Sequence, residues 1–387
     1  MWVPTGRARR AGSALVVAGV FLCALATPTI ADAPTLQSVT SGALAELPAQ
    51  RTAPPATRVT WGFTGDIHML KAVNISAIQP NGTFDYTKKF ARVAPLLSWF
   101  DVASCHMEAP VAPPGTAILV DAPLLSTAAS LPTALAGAGY DRCSAASNHM
   151  MDRGAAGVDA TLNALDAAGL GHTGAARTAA EAKAVTFTVK GVTFAHLSYT
   201  FYAGSRPRNE PWRVNPIDAW AIIEMARTAR ANGAQIVVVS LEWGVDGYSA
   251  VTSQQRSLAQ TLTASGQIDL IVGHQAHVLQ PIEQVNGVWV IYGMGNFLTS
   301  LSGGSWGTKV QDSAIFGVDF TVDADGGVTV SRPLVYPTWI DKPNGMVVRL
   351  TSEANDPTLS SFTRAALKAS LERTRLVMGA FFAPGVG

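Results

Sequence analysis

The sequence predicts an α/β fold in which layered, mixed β-sheets are flanked by helices. Short apolar runs rich in β-branched residues alternate with helical stretches along most of the chain, for example at residues 235–241 and 254–264. The apolar runs are continuous, which is typical of strands that are covered on both faces. A hairpin and several later strands add antiparallel edges, so we expect the sheets to be mixed.

The predicted elements follow one another in a regular order. A first strand at residues 59–64 ends at Gly65 and Asp66, and a helical stretch at 86–99 leads to a second strand at 101–106. The later predicted elements are a helix at 131–138, a strand at 141–146, a helix at 155–168, a hairpin at 185–199 that turns at Lys190 and Gly191, a helix at 220–232, strands at 235–241 and 269–272 around a helix at 254–264, strands at 288–292, 314–322 and 328–335, and a helix at 363–378.

Residues 1–33 predict a secretory signal peptide. Arg7, Arg9 and Arg10 precede an almost wholly apolar stretch, and small residues suited to cleavage follow it. The apolar stretch is shorter than the roughly 20 residues that a spanning helix needs, and an uncleaved N-terminal membrane anchor is the alternative. Both interpretations predict a secreted or extracytoplasmic protein.

The rest of the chain divides into three parts. Residues 34–57 contain four prolines among Ala, Thr and Ser, which predicts a flexible leader. Residues 58–345 carry the predicted strands and form the main domain. Residues 346–387 are expected to be a C-terminal helical extension.

Composition and cysteine usage narrow the function classes. The chain has 387 residues, 48% hydrophobic and 14% charged, with a formal net charge of +1. No long basic run follows the first ten residues, so nucleic acid is not an expected partner. Cys105 and Cys143 lie near the ends of neighbouring predicted strands. An exported protein could join them in a disulfide, and two free thiols are the other possibility.

Side chains that can bind a metal ion follow nearly every predicted strand. Ligands of open α/β sheets gather outside the carboxyl ends of the strands, so we expect these side chains to meet. Imidazole and carboxylate together suit Zn, Mn or Fe, and two such ions need a bridging oxygen ligand. Five of the seven histidines lie in these segments. The segments carry Asp66 and His68; His106 and Glu108; Asn148 and His149; Glu242; and His274 and His277.

Each segment also has a purely structural interpretation when it is taken alone. His106 is more simply a strand-end residue whose ring nitrogens are both hydrogen-bonded, and we favour that interpretation for it. Asn148 could be a helix cap, since Asn favours such positions. Glu242 could be a surface carboxylate in a turn. The joint order of the segments, rather than any single one, predicts a shared metal centre.

Several motifs in one order resemble the poly-γ-glutamate capsule-synthesis (CapA-type) family, a branch of the calcineurin-like metallophosphoesterases. The resemblance covers about residues 59–298 and implies a metallophosphoesterase-like α/β/β/α sandwich. The motifs are Gly65-Asp66-x-His68, Met107-Glu108-Ala109-Pro110, Ser147-Asn148-His149, Glu242-Trp243-Gly244, Gly273-His274-x-x-His277 with the following Val-Leu-Gln-Pro-Ile-Glu, and Gly293-Met294-Gly295-Asn296-Phe297.

The resemblance implies a role for each candidate residue. One divalent ion would be held by Asp66, His68 and His277. A second ion would be held by Asn148, Glu242 and His274. Glu108 would bridge the two ions, and His149 would be the catalytic residue that protonates a leaving group or steadies developing charge.

Three positions depart from the family pattern. Glu242 stands where a His usually precedes Trp-Gly, Gln275 stands where a second His is common, and His106-Met107-Glu108 replaces Asn-Leu-Glu. An oxygen ligand at Glu242 shifts the preference of the second site from Zn toward Mn or Mg. We therefore expect the second ion to bind more weakly than the first.

The sequence supports a metal-dependent hydrolase and one non-catalytic alternative. The hydrolase would act on a phosphoester or on an anionic cell-surface polymer such as poly-γ-glutamate, in its biosynthesis or processing. The alternative is a metal-binding component of a polymer synthesis and export complex. In either case, a membrane-bound polymer synthase is an expected partner, because this chain lacks the long membrane segments that a synthase needs.

Overall fold

The computed structural model of the protein describes residues 56–119, 123–202, 207–301 and 303–385. The strands of these residues are β1 (Thr57–Ile67), β2 (Val102–Met107), β3 (Arg142–Ser144), β4 (Gly171–Thr173), β5 (Thr186–Val189), β6 (Val192–Thr200), β7 (Ile236–Glu242), β8 (Leu270–His274), β9 (Leu279–Val285), β10 (Val288–Met294), β11 (Asn296–Leu298), β12 (Asp312–Val322), β13 (Val328–Val330), β14 (Leu334–Asp341) and β15 (Val347–Leu350).

The α-helices are mostly short, and all but the last lie between strands in sequence. Within the described residues they are α1 (Lys71–Ile75), α2 (Thr87–Phe90), α3 (Ala94–Leu97), α4 (Ser130–Gly137), α5 (Gly154–Ala167), α6 (Ala219–Ala231), α7 (Ser253–Ala264), α8 (Gly303–Trp306) and α9 (Ser361–Met378). None of the helices in this part of the chain is long and apolar enough to cross a membrane.

The strands form two mixed sheets, as the sequence predicts. The larger sheet has the order β15-β14-β12-β1-β2-β3-β4, with β11 and β13 paired beside that path. Its strands β1 to β4 are parallel, whereas β12, β14 and β15 pair antiparallel. The smaller sheet has the order β5-β6-β7-β8-β10-β9, with a parallel centre and antiparallel edges at β5 and β9.

The sheets stack face to face between two layers of helices. Along β1, Trp61 and Phe63 point to the inter-sheet core, where they meet Phe194 of β6 and Val238 of β7. The opposite face of the larger sheet packs on α4 and α5, and the opposite face of the smaller sheet packs on α6 and α7. Side chains alternate across a strand, so each strand supplies both cores. The expected α/β/β/α sandwich is therefore confirmed.

Two predicted elements are divided in the structure because of prolines. The helical stretch expected at residues 86–99 forms α2 and α3, and Pro95 lies at the start of α3. Proline has no N–H to donate and is tolerated only in the first helical turn. The strand expected at 328–335 forms β13 and β14, with Pro333 between them.

The boundary expected at residues 345–346 needs a correction. Residues Val347–Leu350 form β15, which pairs antiparallel with β14 and extends the larger sheet. The helix α9 then packs on this sheet, with Leu367 buried against Trp339. Arg373 of α9 also donates two hydrogen bonds to Asp312 of β12, at 2.6 and 2.7 Å. The segment after residue 346 is thus part of the sandwich and not a separate helical extension.

Cys105 and Cys143 are joined in a disulfide. Cys105 and Cys143 face each other in register on the parallel strands β2 and β3, with their Cα atoms 4.5 Å apart. Of the possibilities left open by the sequence, the structure contains the bridge.

The expected N-terminal segments lie almost wholly outside the described residues. The signal peptide at 1–33 and nearly all of the leader at 34–57 precede Ala56, where the description begins. Thr57, assigned to the leader, is the first residue of β1.

Candidate metal centre

The candidate ligand segments converge at the carboxyl ends of five parallel strands. In the larger sheet, Asp66 of β1 is in register with His106 of β2, and His106 is in register with Ser144 of β3. In the smaller sheet, Glu242 of β7 is in register with His274 of β8. Because the two sheets face each other, these five strand ends and the loops after them surround one buried volume.

The turn after β1 depends on a glycine and a neighbouring strand. Asp66 and His68 donate backbone hydrogen bonds to Gly295 O and Leu298 O at 2.9 and 2.8 Å. A Cβ atom on Gly65 would lie 2.0 Å from Gly295 O, so no larger residue fits there. This close approach fixes where the Asp66 and His68 side chains enter the site.

Asp66 is the carboxylate that contacts both histidines of the loop after β8. Its Oδ1 lies 2.8 Å from His274 Nδ1, and its Oδ2 lies 3.5 Å from His277 Nδ1. The backbone N–H of Gln275 also donates to Oδ2, at 3.1 Å. Gln275 and His277 both have positive φ, at 79° and 56°. Non-glycine residues are uncommon in this region, and when they occur they often lie in turns or at functional sites.

Glu108 forms a second group with His68 and His277. Its Oε1 lies 3.8 Å from His68 Nε2 and 3.6 Å from His277 Nε2. Glu108 is fully buried, and neither of its carboxylate oxygens has a hydrogen-bond partner. The distances are too long for hydrogen bonds and leave a gap between the three side chains.

Asn296 fixes the orientation and tautomer of His277. The Asn296 amide group donates to His277 O and Val310 O, both at 3.0 Å. Its Oδ1, 2.9 Å from His277 Nδ1, must therefore accept the proton on that nitrogen. In the neutral ring, the lone pair of Nε2 then faces Glu108.

Glu242 is held by one of its two oxygens. Its Oε2 accepts a hydrogen bond from the backbone N–H of Asn148 at 2.7 Å and a second from the hydroxyl of Thr200. Its Oε1 has no partner and lies 3.8 Å from His106 Nε2. The ring of His106 stacks on that of His274, with centroids 3.9 Å apart.

The unpartnered polar atoms of this site fit a metal centre. Buried polar atoms in proteins are almost always hydrogen-bonded, so a cluster without partners requires an explanation. The donor set of imidazole nitrogens and carboxylate oxygens is the one that borderline divalent ions prefer. Three groups of side chains have ligand atoms within 4.8 Å of one another: Asp66, His106 and His274; Asp66, Glu108 and His277; and His68, Glu108 and His149. The buried atoms without a partner are His68 Nε2, His106 Nε2, both Glu108 oxygens, Asn148 Oδ1 and Glu242 Oε1.

Burial and mutual charge perturb the ionisation of these groups. Burial raises the pKa of Glu108 to about 7 and holds the pKa of Glu242 well above its usual range. Burial also lowers the pKa of His68 well below normal. For His277, burial lowers the pKa, but the charges of Glu108 and Asp66 more than offset it and raise the pKa to about 10. Protons therefore occupy positions that a cation would otherwise fill.

His149 lies at the open side of the site and is paired with an acid. Its Nδ1 is 2.6 Å from Asp152 Oδ2, and its side chain is 17% exposed. Burial lowers the pKa of His149, but the hydrogen bond with Asp152 and the charge of Glu108 raise it above normal overall. Its backbone N–H donates to Ser147 Oγ, and Ser147 donates to Glu108 O. The loop thus holds a proton-carrying imidazole beside Glu108 and His68.

The model of the family described as bacterial capsule synthesis protein PGA_cap matches residues 60–300, more than half of the chain. The chain belongs to this family. It is 37% identical over 175 residues to the PGA biosynthesis protein CapA of Bacillus subtilis, covering 44% of each chain. It is 31% identical over 267 residues to the capsule biosynthesis protein CapA of Bacillus anthracis, covering 67% of this chain and 63% of that one.

The capsule-synthesis chain thus spans between about two fifths and two thirds of the length of these relatives. Among solved structures, the calcineurin-like phosphoesterase YfkN from Bacillus subtilis is similar over 82% of this chain and 99% of that chain. Its sequence identity is 14% and the TM-score is 0.47. That likeness is too distant to assign an activity.

In this member of the capsule-synthesis family, the structure brings all the sequence-predicted site residues to one place. Seven of them are the expected metal ligands, and the eighth is the expected proton donor. Their chemical roles remain predictions. These residues are Asp66, His68, Glu108, Asn148, Glu242, His274 and His277, together with His149.

The sequence interpretation of His106 was wrong. A fully hydrogen-bonded strand-end histidine would have partners on both ring nitrogens, but Nε2 has none. The supporting residues Ser144, Asp152, Thr200 and Asn296 were also not predicted as part of the site. The two-residue spacing of His106 and Glu108, which matches that of Asp66 and His68, was a signal that could have identified His106.

Proposed function

We propose that this chain is an exported, metal-dependent hydrolase that acts in the biosynthesis or processing of an anionic capsule or cell-surface polymer. The observation that carries the proposal is the cluster of buried, unpartnered imidazole nitrogens and carboxylate oxygens beside His149. A purely structural protein gains nothing from burying such atoms, because each lost hydrogen bond costs about 1–3 kcal/mol. Membership of the capsule-synthesis family supports the biological context.

The two ions of the proposed centre would be held from both sheets. Asp66, His68 and His277 would hold one, and Asn148, Glu242 and His274 would hold the other, with Glu108 between them. Mn, Fe and Zn all suit this mixture of nitrogen and oxygen ligands. When bound, such a pair of ions polarises an ester or amide oxygen and lowers the pKa of water toward neutrality.

The remaining chemistry is supplied by the chain itself. His149 holds a proton on its ring because Asp152 accepts a hydrogen bond from Nδ1 and stabilises the charged form. The exposed side of the ring can present Nε2–H to a leaving group, which is general acid catalysis. Ser147 fixes the backbone of this loop against Glu108, so the proton donor is kept at the edge of the ligand cluster.

The substrate class is part of the proposal. The relatives in Bacillus subtilis and Bacillus anthracis are named for the biosynthesis of PGA and of a capsule. We therefore propose poly-γ-glutamate or a similar anionic polymer as the substrate, with hydrolysis of an amide or a phosphoester bond. A membrane-bound polymer synthase is the proposed partner.

A substrate screen with a matched pair of variants tests this function. The purified chain would be loaded with Mn or Zn separately and assayed on an activated phosphate ester and on poly-γ-glutamate, following product release and polymer length. Activity with either metal, its loss in His149→Ala with metal content retained, and normal activity in His172→Ala are expected. His172 is a suitable control because it pairs with Asp166 outside the site. Metal binding without turnover on any substrate would instead identify a non-catalytic metal-binding component of a synthesis complex.

A further inference from the structure

His106 is buried in the strand β2 and has an unexplained ring nitrogen. Its side chain is 1% exposed, and Nε2 has no hydrogen-bond partner. A second buried histidine, His196, provides a comparison. Its Nδ1 accepts from Arg142 Nε at 3.1 Å, and its Nε2 lies 2.8 Å from Ser240 Oγ. His196 is thus a fully hydrogen-bonded core histidine, whereas His106 is not.

Ser144 determines which nitrogen of His106 carries the proton. The hydroxyl of Ser144 donates to Cys105 O at 3.3 Å, and its oxygen lies 2.9 Å from His106 Nδ1. Since the hydroxyl proton is directed to the carbonyl, the oxygen accepts from Nδ1–H. The neutral ring then has its lone pair on Nε2, the tautomer that a metal ligand needs.

The lone pair of His106 faces a carboxylate oxygen that is equally without a partner. Glu242 Oε1 lies 3.8 Å from His106 Nε2, while Oε2 is fixed by Asn148 and Thr200. The separation is too long for a hydrogen bond, and a cation between or beside the two atoms would satisfy both. The rings of His106 and His274 stack, which places both imidazoles on the same side of this gap.

We propose that His106 is itself a metal ligand. Together with Asn148, Glu242 and His274 it would hold the second ion of the centre, close to Asp66, and Ser144 positions it. Asp66, His106 and His274 already have ligand atoms within 4.8 Å of one another. This inference rests on the proposed function for the existence of the centre, but it adds His106 to the second site, which then has a ligand set of two imidazoles, one carboxylate and one amide oxygen. Such a set suits Mn, Fe or Zn.

Metal stoichiometry and affinity test the assignment without using activity. The apo chain would be titrated with Mn²⁺, and bound metal would be counted by elemental analysis after removal of free ion. We expect two equivalents in the wild type and in His172→Ala, and one equivalent in His106→Ala. The paramagnetic resonance spectrum should change from that of a coupled pair of Mn²⁺ ions to that of an isolated ion.

Two other results of the His106→Ala titration would be decisive. If His106→Ala binds the second ion with the affinity of the wild type, His106 is not a ligand, whatever the activity of the variant. If the wild type binds two ions and His106→Ala binds one, but the wild type hydrolyses no substrate, the ligand assignment stands and the hydrolase function fails. The two failures are therefore separable.

A second pair of variants covers the case in which His106→Ala does not fold. Ser144→Ala removes the acceptor for His106 Nδ1–H and should weaken binding of the second ion by about 10- to 100-fold, as is typical for residues that orient metal ligands. Ser144→Thr keeps the hydroxyl and should restore most of the affinity. Circular dichroism and thermal unfolding in EDTA would confirm that both variants are folded. Equal second-ion affinities in the wild type and in both variants would overturn the proposal.

Discussion

The Nδ1 atom of His277 donates a hydrogen bond to Oδ1 of Asn296, and Asn296 is held in turn by two backbone carbonyls. His277 belongs to the loop after β8, whereas Asn296 begins β11, which pairs with β1 beside Asp66. This contact joins the ligand loop of the smaller sheet to the first ligand strand of the larger sheet. It fixes the ring of His277, a residue whose backbone has a positive φ of 56°.

Replacement of Asn296 should weaken metal binding. In Asn296→Ala the ring of His277 loses its acceptor, so we expect metal affinity to fall by about 10- to 100-fold, measured by titration with Mn²⁺. Asn296→Asp keeps an acceptor at the same place and should lose less affinity. Unfolding in EDTA would show how much of the effect comes from the lost hydrogen bonds to His277 O and Val310 O. Equal affinity in all three proteins would contradict a role for Asn296 in orienting the ligand.

The pH profile of turnover should depend on Asp152. Asp152 raises the pKa of His149 through a hydrogen bond, although burial acts in the opposite direction. Asp152→Asn removes that charge, so the pKa of His149 should fall. A general acid must be protonated, and activity lost at high pH should therefore be lost at a lower pH in the variant. The measurement is kcat against pH with metal content verified at each point.

Asp166→Asn is the matched control for that experiment. Asp166 pairs with His172 at 3.0 Å, outside the site. Its replacement should leave the pH profile in place. A profile that does not move in Asp152→Asn would argue against His149 as the proton donor.

Metal affinity should fall as the pH drops through about 7. Burial raises the pKa of Glu108 to about 7, so its carboxylate is protonated below that pH and available above it. Metal ligands must be deprotonated, so near neutrality binding should release the proton of Glu108 in addition to that of His277, whose pKa is about 10. Calorimetric titrations in two buffers with different ionisation enthalpies would count them. Glu108→Gln should bind metal more weakly and with a flatter pH dependence; a pH dependence as steep as that of the wild type would assign the proton to another group.

Docking of α9 should depend on the ion pair between Arg373 and Asp312. The Asp312 side chain is 3% exposed, so Arg373→Ala would leave a buried carboxylate without its partner. We expect a loss of about 2 kcal/mol in the free energy of unfolding, since the pair is hydrogen-bonded twice but Arg373 is partly exposed. Urea unfolding is the measurement. Lys368→Ala, on the exposed face of the same helix, should change stability by less than about 0.5 kcal/mol.

The disulfide should stabilise the folded protein because it closes a loop of the chain. Cys105 and Cys143 are 38 residues apart in sequence. Chain entropy predicts a stabilisation of up to about 4 kcal/mol for a loop of this length. The double variant Cys105→Ala and Cys143→Ala should unfold at lower urea concentration than the oxidised wild type. The reduced wild type should resemble the double variant, and no difference among the three would show that the bridge is energetically neutral.

The positions of the strand-end candidate ligands could be predicted from two features of the sequence. Continuous apolar runs indicate parallel strands, and the carboxyl ends of parallel strands meet at one edge. Asp66, Glu108, Glu242 and His274 follow directly from that rule. The supporting contacts could not be predicted in the same way. Thr200 is the last residue of β6, and its hydroxyl contacts Glu242 only because β6 and β7 pair in register.

The unpartnered ring nitrogen of His106 and the strand β15 could not be predicted from the pattern of residues along the sequence. Whether a buried histidine has one free nitrogen or none depends on the partner across the sheet, here Ser144, and on which atom that partner's hydroxyl faces. The four residues of β15 are too few for a periodic pattern, and their pairing with β14 depends on tertiary contact. Both features are set by neighbours that are distant in sequence.

The three buried carboxylates of the centre also determine its overall charge. Asp66, Glu108 and Glu242 are each at most 1% exposed, and the histidines that bind a metal do so as neutral rings. Two divalent ions would bring four positive charges against three negative ones, which leaves the loaded centre with an excess of about one positive charge. An anionic substrate is attracted to such a centre and a cationic one is repelled. Replacing Glu242 by a neutral ligand would add another unit of positive charge, so under the proposed function this residue would reduce how tightly a negatively charged product is retained.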